Sequence, residues 1–109
     1  MIGLILATVI TFHPGGTGAE ALRLSRAPQL VIDGPCLSAC AWGAWSNSRM
    51  CFTGRAVFWF HKFADPGTGR EMPAATALWQ KRVNRPWIVP DTGVDATRLA
   101  ILEPGRKCR

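Results

Sequence analysis

Apolar residues along this chain fall in short runs broken by glycine and proline, and the spacing within the runs changes along the chain. Residues 4–12, LILATVITF, are rich in isoleucine, valine and threonine and stop at His13-Pro14-Gly15-Gly16. That pattern predicts a buried strand followed by a turn. Residues 17–26, TGAEALRLSR, place Ala19, Leu22 and Leu24 behind Thr17, a candidate cap, and predict a short helix. QLVID (29–33) reads as a second strand, GPCL as a loop, and Ser38 to Trp45 as a helix of small residues and tryptophan, ended by Asn-Ser-Arg. Residues 55–61 read as a third strand within MCFTGRAVFWFHKF. The near-continuous apolar run from Ala56 to Phe60 predicts burial on both faces, as in a parallel sheet covered by helices. Residues 74–88 are the longest helical candidate. Ala77, Leu78, Val83 and Trp87 are expected inward, and Pro86 breaks the helix late. DATRLAILE is a short helix or strand, and PGRKCR is a tail.

Strands alternating with helical segments predict an α/β fold, with a small, mostly parallel sheet and flanking helices. The 109 residues suffice for one domain, spanning 1–109. The formal charge is +6, but the basic residues are scattered. The densest stretch, QKRVNRPW, lacks the repeated basic and aromatic pattern of a nucleic-acid surface, so it reads as a solvated face. There is no C-x-x-C pair, and His13 and His61 show no ligand spacing, so neither a metal nor a cofactor is expected. The opening run MIGLILATVI is too short to span a bilayer as a helix, so no stable membrane span is expected. A signal-peptide reading, with Ala19-Glu20-Ala21 as cleavage site, competes with the strand. No Lys or Arg precedes the run and Pro14-Gly15-Gly16 intervenes, so the strand is preferred.

Right-handed crossovers would bring the loops after the strands to one edge of the sheet, where open α/β folds build their sites. Three groups then meet. Gly15-Gly16 can bring backbone amides close to a ligand oxygen. Ser38 opens a helix, where free amides and the helix dipole favour developing negative charge. His61 ends an apolar strand. These are the parts of acyl-transfer chemistry. Each has a plainer reading: Ser38 as a helix cap, His61 as a structural histidine, Gly15-Gly16 as a turn.

The stretches FHPGG, VIDGPCLSACAW and RMCFTGRAVFWFHKF together resemble the Clp-type serine protease and crotonase superfamily, most closely its small secreted or periplasmic branch. In Clp proteases a strand ends in Ser-Pro-Gly-Gly and supplies one oxyanion amide. Here the segment is HPGG, with His13 in place of the serine. Their nucleophile lies in Ser-Met-Gly-Ala at the start of a helix, matched by Ser38-Ala39-Cys40-Ala41. Their histidine follows an Arg-x-Cys segment and an apolar strand, matched by Arg49 to Cys51 and Ala56 to His61. The resemblance covers roughly residues 8 to 109 and is strong over 30–63. It implies a peptide or acyl substrate, Ser38 as nucleophile, His61 as base, and the amides of Gly16 and Ala39 as oxyanion donors. It also implies a carboxylate after the histidine. Asp95 is taken for that role, with Asp91 and Glu103 as the other candidates. Assembly into a homo-oligomer is a further implication, as is a chain that starts late, its export signal lost with a misassigned Met1. The alternative from a different class is a catalytically silent, disulfide-stapled envelope domain that binds a partner.

Four cysteines, Cys36, Cys40, Cys51 and Cys108, suggest a disulfide framework in an oxidising compartment. Cys40 and Cys51 lie near opposite ends of the Ser38 helix. About seven helical residues at ~1.5 Å each separate them by roughly 10 Å, beyond the ~7 Å limit for a bridge. Cys36–Cys40 would staple the loop around Ser38, and Cys51–Cys108 would pin the tail. Cys36–Cys108 with two free thiols, and four reduced thiols in a cytosolic protein, are the other arrangements. The expected location is periplasmic or secreted.

Overall fold

A computed structural model describes residues 6–109. Residues 4 and 5 of the predicted first strand, and the rest of the opening run, lie outside the described residues. The elements are β1 (Thr8–Ile10), α1 (Gly18–Ser25), β2 (Leu30–Ile32), β3 (Pro35–Leu37), α2 (Ala39–Trp45), β4 (Met50–Phe52), β5 (Val57–Trp59), α3 (Pro73–Val83), β6 (Gly93–Asp95) and α4 (Ala96–Leu102). A short 3-10 turn, Pro104–Arg106, precedes the tail.

The chain is α/β, with a small parallel sheet and flanking helices, but its strands divide between two sheets. One sheet is wholly parallel, in the order β1-β2-β4. In the other, β3 pairs parallel with β5, and β6 returns antiparallel on the far side. His13 adds a single parallel rung beside Cys36 at the free edge of β3. The path therefore repeats itself. Each of β1, β2 and β4 lies in the first sheet. Each is followed by a segment in the second sheet (His13, β3 and β5 in turn), and each such pair leads to a helix. Gly34 sits where one of these turns crosses between sheets. A Cβ there would overlap the Thr11 carbonyl of the preceding turn. Gly43 does the same for the helices, since a Cβ would overlap the Ala21 carbonyl of α1. Small residues at these positions let successive turns stack at backbone distance.

The core forms where α2 meets both sheets. Every residue of α2 is buried. Trp42 packs edge-on against Phe60, and Trp45 against Phe58 and Trp87. Buried Asn47 donates from its side-chain amide to the carbonyls of Leu24 and Ala27, closing the end of α1.

Several local expectations need correction. The run Ala56–Phe60 is not buried on both faces. Ala56, Phe58 and Phe60 are buried, but Val57 and Trp59 are 37% and 36% exposed, so β5 alternates and presents one face to solvent. In α3 the inward residues are Thr76, Trp79 and Val83, whereas Leu78 is exposed and Ala77 lies outside. The helix ends at Asn84, which takes a left-handed cap conformation two residues before Pro86. In α1 it is Ala21 and Leu24 that are buried, and Thr17 begins the helix without a side-chain cap bond.

The disulfides are Cys36–Cys40 and Cys51–Cys108, with Cα separations of 5.2 and 4.9 Å. The second binds the tail to β4, next to the bond from the Cys108 amide to the Phe52 carbonyl. Paired cysteines of this kind point to an oxidising compartment. Among the described residues no helix is long and apolar enough to cross a membrane.

Candidate active site

Ser38 joins the end of β3 to the start of α2, and it is one of three non-glycine residues with positive φ among the described residues. Its φ is 56° and its ψ is −120°, a corner that glycine adopts freely and that crowds any L side chain. Hydrogen bonds hold it there from both sides. The Ser38 amide donates to the Trp59 carbonyl at 2.7 Å, and the Ser38 carbonyl accepts from the Trp42 amide at 3.2 Å. The Cys36–Cys40 bridge closes around it. Its hydroxyl makes no cap bond to α2. The cap reading of Ser38 requires that bond. A sharp strand-to-helix turn of this kind lifts a side chain out of the backbone and toward a ligand.

Ser38 borders a cavity of about 560 Å³, whose walls also include Gly16, Thr17, Lys62, Phe63 and Trp79. Gly15, at φ +106°, abuts Ser38 so closely that a Cβ on it would lie 2.8 Å from the Ser38 Cβ. Among the described residues neither the Gly16 amide nor the Ala39 amide has a hydrogen-bond partner. Ala39 is the first residue of α2, where an amide is left free by helix geometry. The structure thus brings Ser38 and Gly16 to one cavity, while Ala39, the next residue along, is fully buried and is not among the cavity walls.

His61 is placed differently. Its main chain lies against α2, because its carbonyl accepts from the Trp42 indole at 2.8 Å. Its ring follows the alternation of β5 onto the open face beside Trp59, and is not among the cavity walls. No hydrogen bond joins it to the Ser38 hydroxyl. Instead the Trp59 indole N–H donates to His61 Nδ1 at 3.0 Å. With Nδ1 accepting, the proton of the neutral ring sits on Nε2. A general base for a serine needs the reverse, a bare Nε2 with its Nδ1 proton held by a carboxylate.

A carboxylate is nonetheless close. Asp91 Oδ1 lies 3.8 Å from His61 Nδ1. Asp91 follows Pro90 in a turn, at φ 62°, and its amide donates to the Phe60 carbonyl. The Lys62 amide first, and the Lys62 ammonium after it, hold the Asp91 carboxyl below the usual carboxylate range. Asp95, taken for this role on sequence, sits elsewhere. β6 runs antiparallel to β5, so Asp95 pairs with Val57 at the end of the strand away from His61. Its Oδ1 caps α4 through the Arg98 amide. Glu103 is bound to Arg85 at 3.0 Å. Sequence reasoning undervalued Asp91 because its turn, VPDTG, carries no catalytic pattern. It passed over Trp59, although the two-residue spacing to His61 on a strand predicts a shared face. Lys62 and the His13–Glu20 pair (3.0 Å) become visible only in three dimensions.

No family model, curated protein or solved structure matches this chain.

Proposed function

We propose that this protein is a serine hydrolase of the Clp protease and crotonase type, acting on peptide or acyl bonds, with Ser38 as its nucleophile. The observation that carries the reading is Ser38's backbone, at φ 56° between strand and helix, in a residue that lines a cavity and whose hydroxyl makes no cap bond. Strained non-glycine residues of this kind concentrate where function demands them. In the reaction the Ser38 oxygen attacks a carbonyl carbon and its proton passes to His61. The amides of Gly16 and Ala39 hold the negative oxygen. Collapse expels the leaving group, which takes the proton from His61, and water then hydrolyses the acyl-serine by the same steps. For this the His61 ring must leave Trp59, turn its Nε2 to Ser38 and present Nδ1–H to Asp91. The disulfides fit a periplasmic or secreted setting for the activity.

The reading is tested by intact mass spectrometry of the oxidised protein, treated with a fluorophosphonate probe. One adduct is expected, absent in Ser38→Ala. Trp59→Phe removes the donor that holds His61 in the wrong tautomer and should speed labelling. A second reading has its own support in the structure. With His61 held by Trp59 on the open face, the domain is a stapled envelope module without catalysis. A folded protein that acquires no adduct, in the wild type or in Trp59→Phe, would select that alternative.

A further inference from the structure

The mechanism above leaves His13 without a role, yet it is among the most fully engaged side chains near Ser38. Its main chain is locked to β3 on both sides, its amide donating to the Pro35 carbonyl and its carbonyl accepting from the Leu37 amide. Its side chain is 15% exposed. Nδ1 accepts from the Gly15 amide at 3.0 Å, and Nε2 lies 3.0 Å from Glu20 Oε1. Arg23 in turn grips both oxygens of Glu20, at 2.6 to 3.2 Å. The partners dictate the tautomer: Nδ1 is bare and Nε2–H donates to the carboxylate. A side-chain acceptor reaching the amide two residues on is the imidazole counterpart of an Asx turn. Here it fixes the loop that touches Ser38, because Gly15 stands against the Ser38 Cβ and Gly16 borders the same cavity.

We infer that His13 is a positioning residue, whose neutral ring, braced by Glu20, anchors the Gly15 amide and so holds the Gly15-Gly16 loop over Ser38, and whose protonation releases that loop. The inference rests on the reading of Ser38 as nucleophile. A protonated ring keeps its bond to Glu20 but presents a second N–H at Nδ1, donor against donor, to the Gly15 amide. The charged groups facing the ring come from α1: Glu20, bonded to Nε2, and Arg23, bonded in turn to Glu20. The neighbouring β3 and α2 contribute no ionisable side chain. Asp33, on the turn before β3, is engaged by Thr53 and Arg55. The Glu20 carboxyl is held down to about 2, by Arg23 first and His13 second, so it stays an ionised partner to either form of the ring. A proton taken up by the ring therefore frees the loop rather than the Glu20 contact.

The test combines NMR titration with probe labelling on the intact oxidised protein. From pH 8 to 5 the Gly15 amide of the wild type should shift along with the His13 ring, starting from a hydrogen-bonded position, with Nδ1 bare at pH 8. In His13→Asn the side-chain oxygen can accept the same amide but takes up no proton. Gly15 should then stay hydrogen-bonded and not titrate. In His13→Ala it should be unbonded throughout. Fluorophosphonate labelling of Ser38 at pH 8 should fall about tenfold to a hundredfold in His13→Ala, and His13→Asn should restore it. A Gly15 amide indifferent to His13 titration would overturn the inference. So would a His13→Ala variant that labels like the wild type. A wild type that labels at no pH would instead remove the hydrolase reading, while the Gly15 titration still reports on the anchor itself.

Discussion

Substituting Ser38 by glycine and by alanine separates a strained nucleophile from a helix cap, because the two readings predict opposite signs. At φ 56° and ψ −120° an L residue carries about 1–3 kcal/mol of backbone strain, which glycine relieves. Glycine also frees the unfolded chain, which offsets about 0.4–1 kcal/mol. Ser38→Gly should therefore be more stable than the wild type by about 1 kcal/mol. Ser38→Ala keeps the Cβ and the strain, and loses a hydroxyl that makes no cap bond, so it should stay within about 0.5 kcal/mol of the wild type. If Ser38 were a cap, alanine would cost about 1 kcal/mol and glycine a few tenths, both destabilising. The assay is urea unfolding without reductant, followed by the fluorescence of the five tryptophans. With a slope of about 1–2 kcal/mol per molar, the glycine variant should move the midpoint up by about 0.5–1 M. A glycine variant less stable than the wild type, alongside an alanine variant that loses about 1 kcal/mol, would refute the strain argument. It would also take away the main support for a nucleophilic Ser38.

The two disulfides should differ in weight. They span 4 and 57 residues, so in the chain-entropy model removing Cys36–Cys40 costs about 2 kcal/mol and removing Cys51–Cys108 about 4, compared by urea unfolding of the double-alanine variants. Gly34→Ala places a methyl group on the Thr11 carbonyl, and backbone cannot step aside cheaply. It should cost more than about 3 kcal/mol or abolish folding, as read by thermal unfolding followed by circular dichroism. The Glu20 carboxyl is lowered from 4.5 to about 2 by Arg23 and then His13. Its contribution is complete above its unfolded value and lost as pH falls through the folded one. Relative to Glu20→Gln, the wild type should lose stability between about pH 4.5 and 2, and the two unfolding curves should converge at the acid end.

What the chain spells locally, it spells well. Strand-forming runs closed by Pro-Gly or Asp-Gly, and small residues at the start of a helix, depend on neighbours a few positions away. The alternation of strands and helices could therefore be read in outline, although the short strands Pro35–Leu37 (read as a loop), Met50–Phe52 and Gly93–Asp95 were not. The disulfide partners could be favoured as well, because a helix of known rise sets how far apart Cys40 and Cys51 must lie. Ser38 and the Gly15-Gly16 loop were found for the same reason, each beside a strand end. Faces and partners were decided elsewhere. The run Ala56–Phe60 is apolar at every position, so its spacing could not reveal that Val57 and Trp59 face solvent. Only the second sheet, with α2 on one side and an open surface on the other, settles that. The same alternation carries the His61 ring away from Ser38. Asp91 rather than Asp95 stands beside it because β6 runs antiparallel to β5, and strand direction is not written in a three-residue strand. The left-handed Ser38 is likewise a product of tertiary structure. No serine chooses that backbone alone, and here β5, α2 and the Cys36–Cys40 bridge together outweigh its cost.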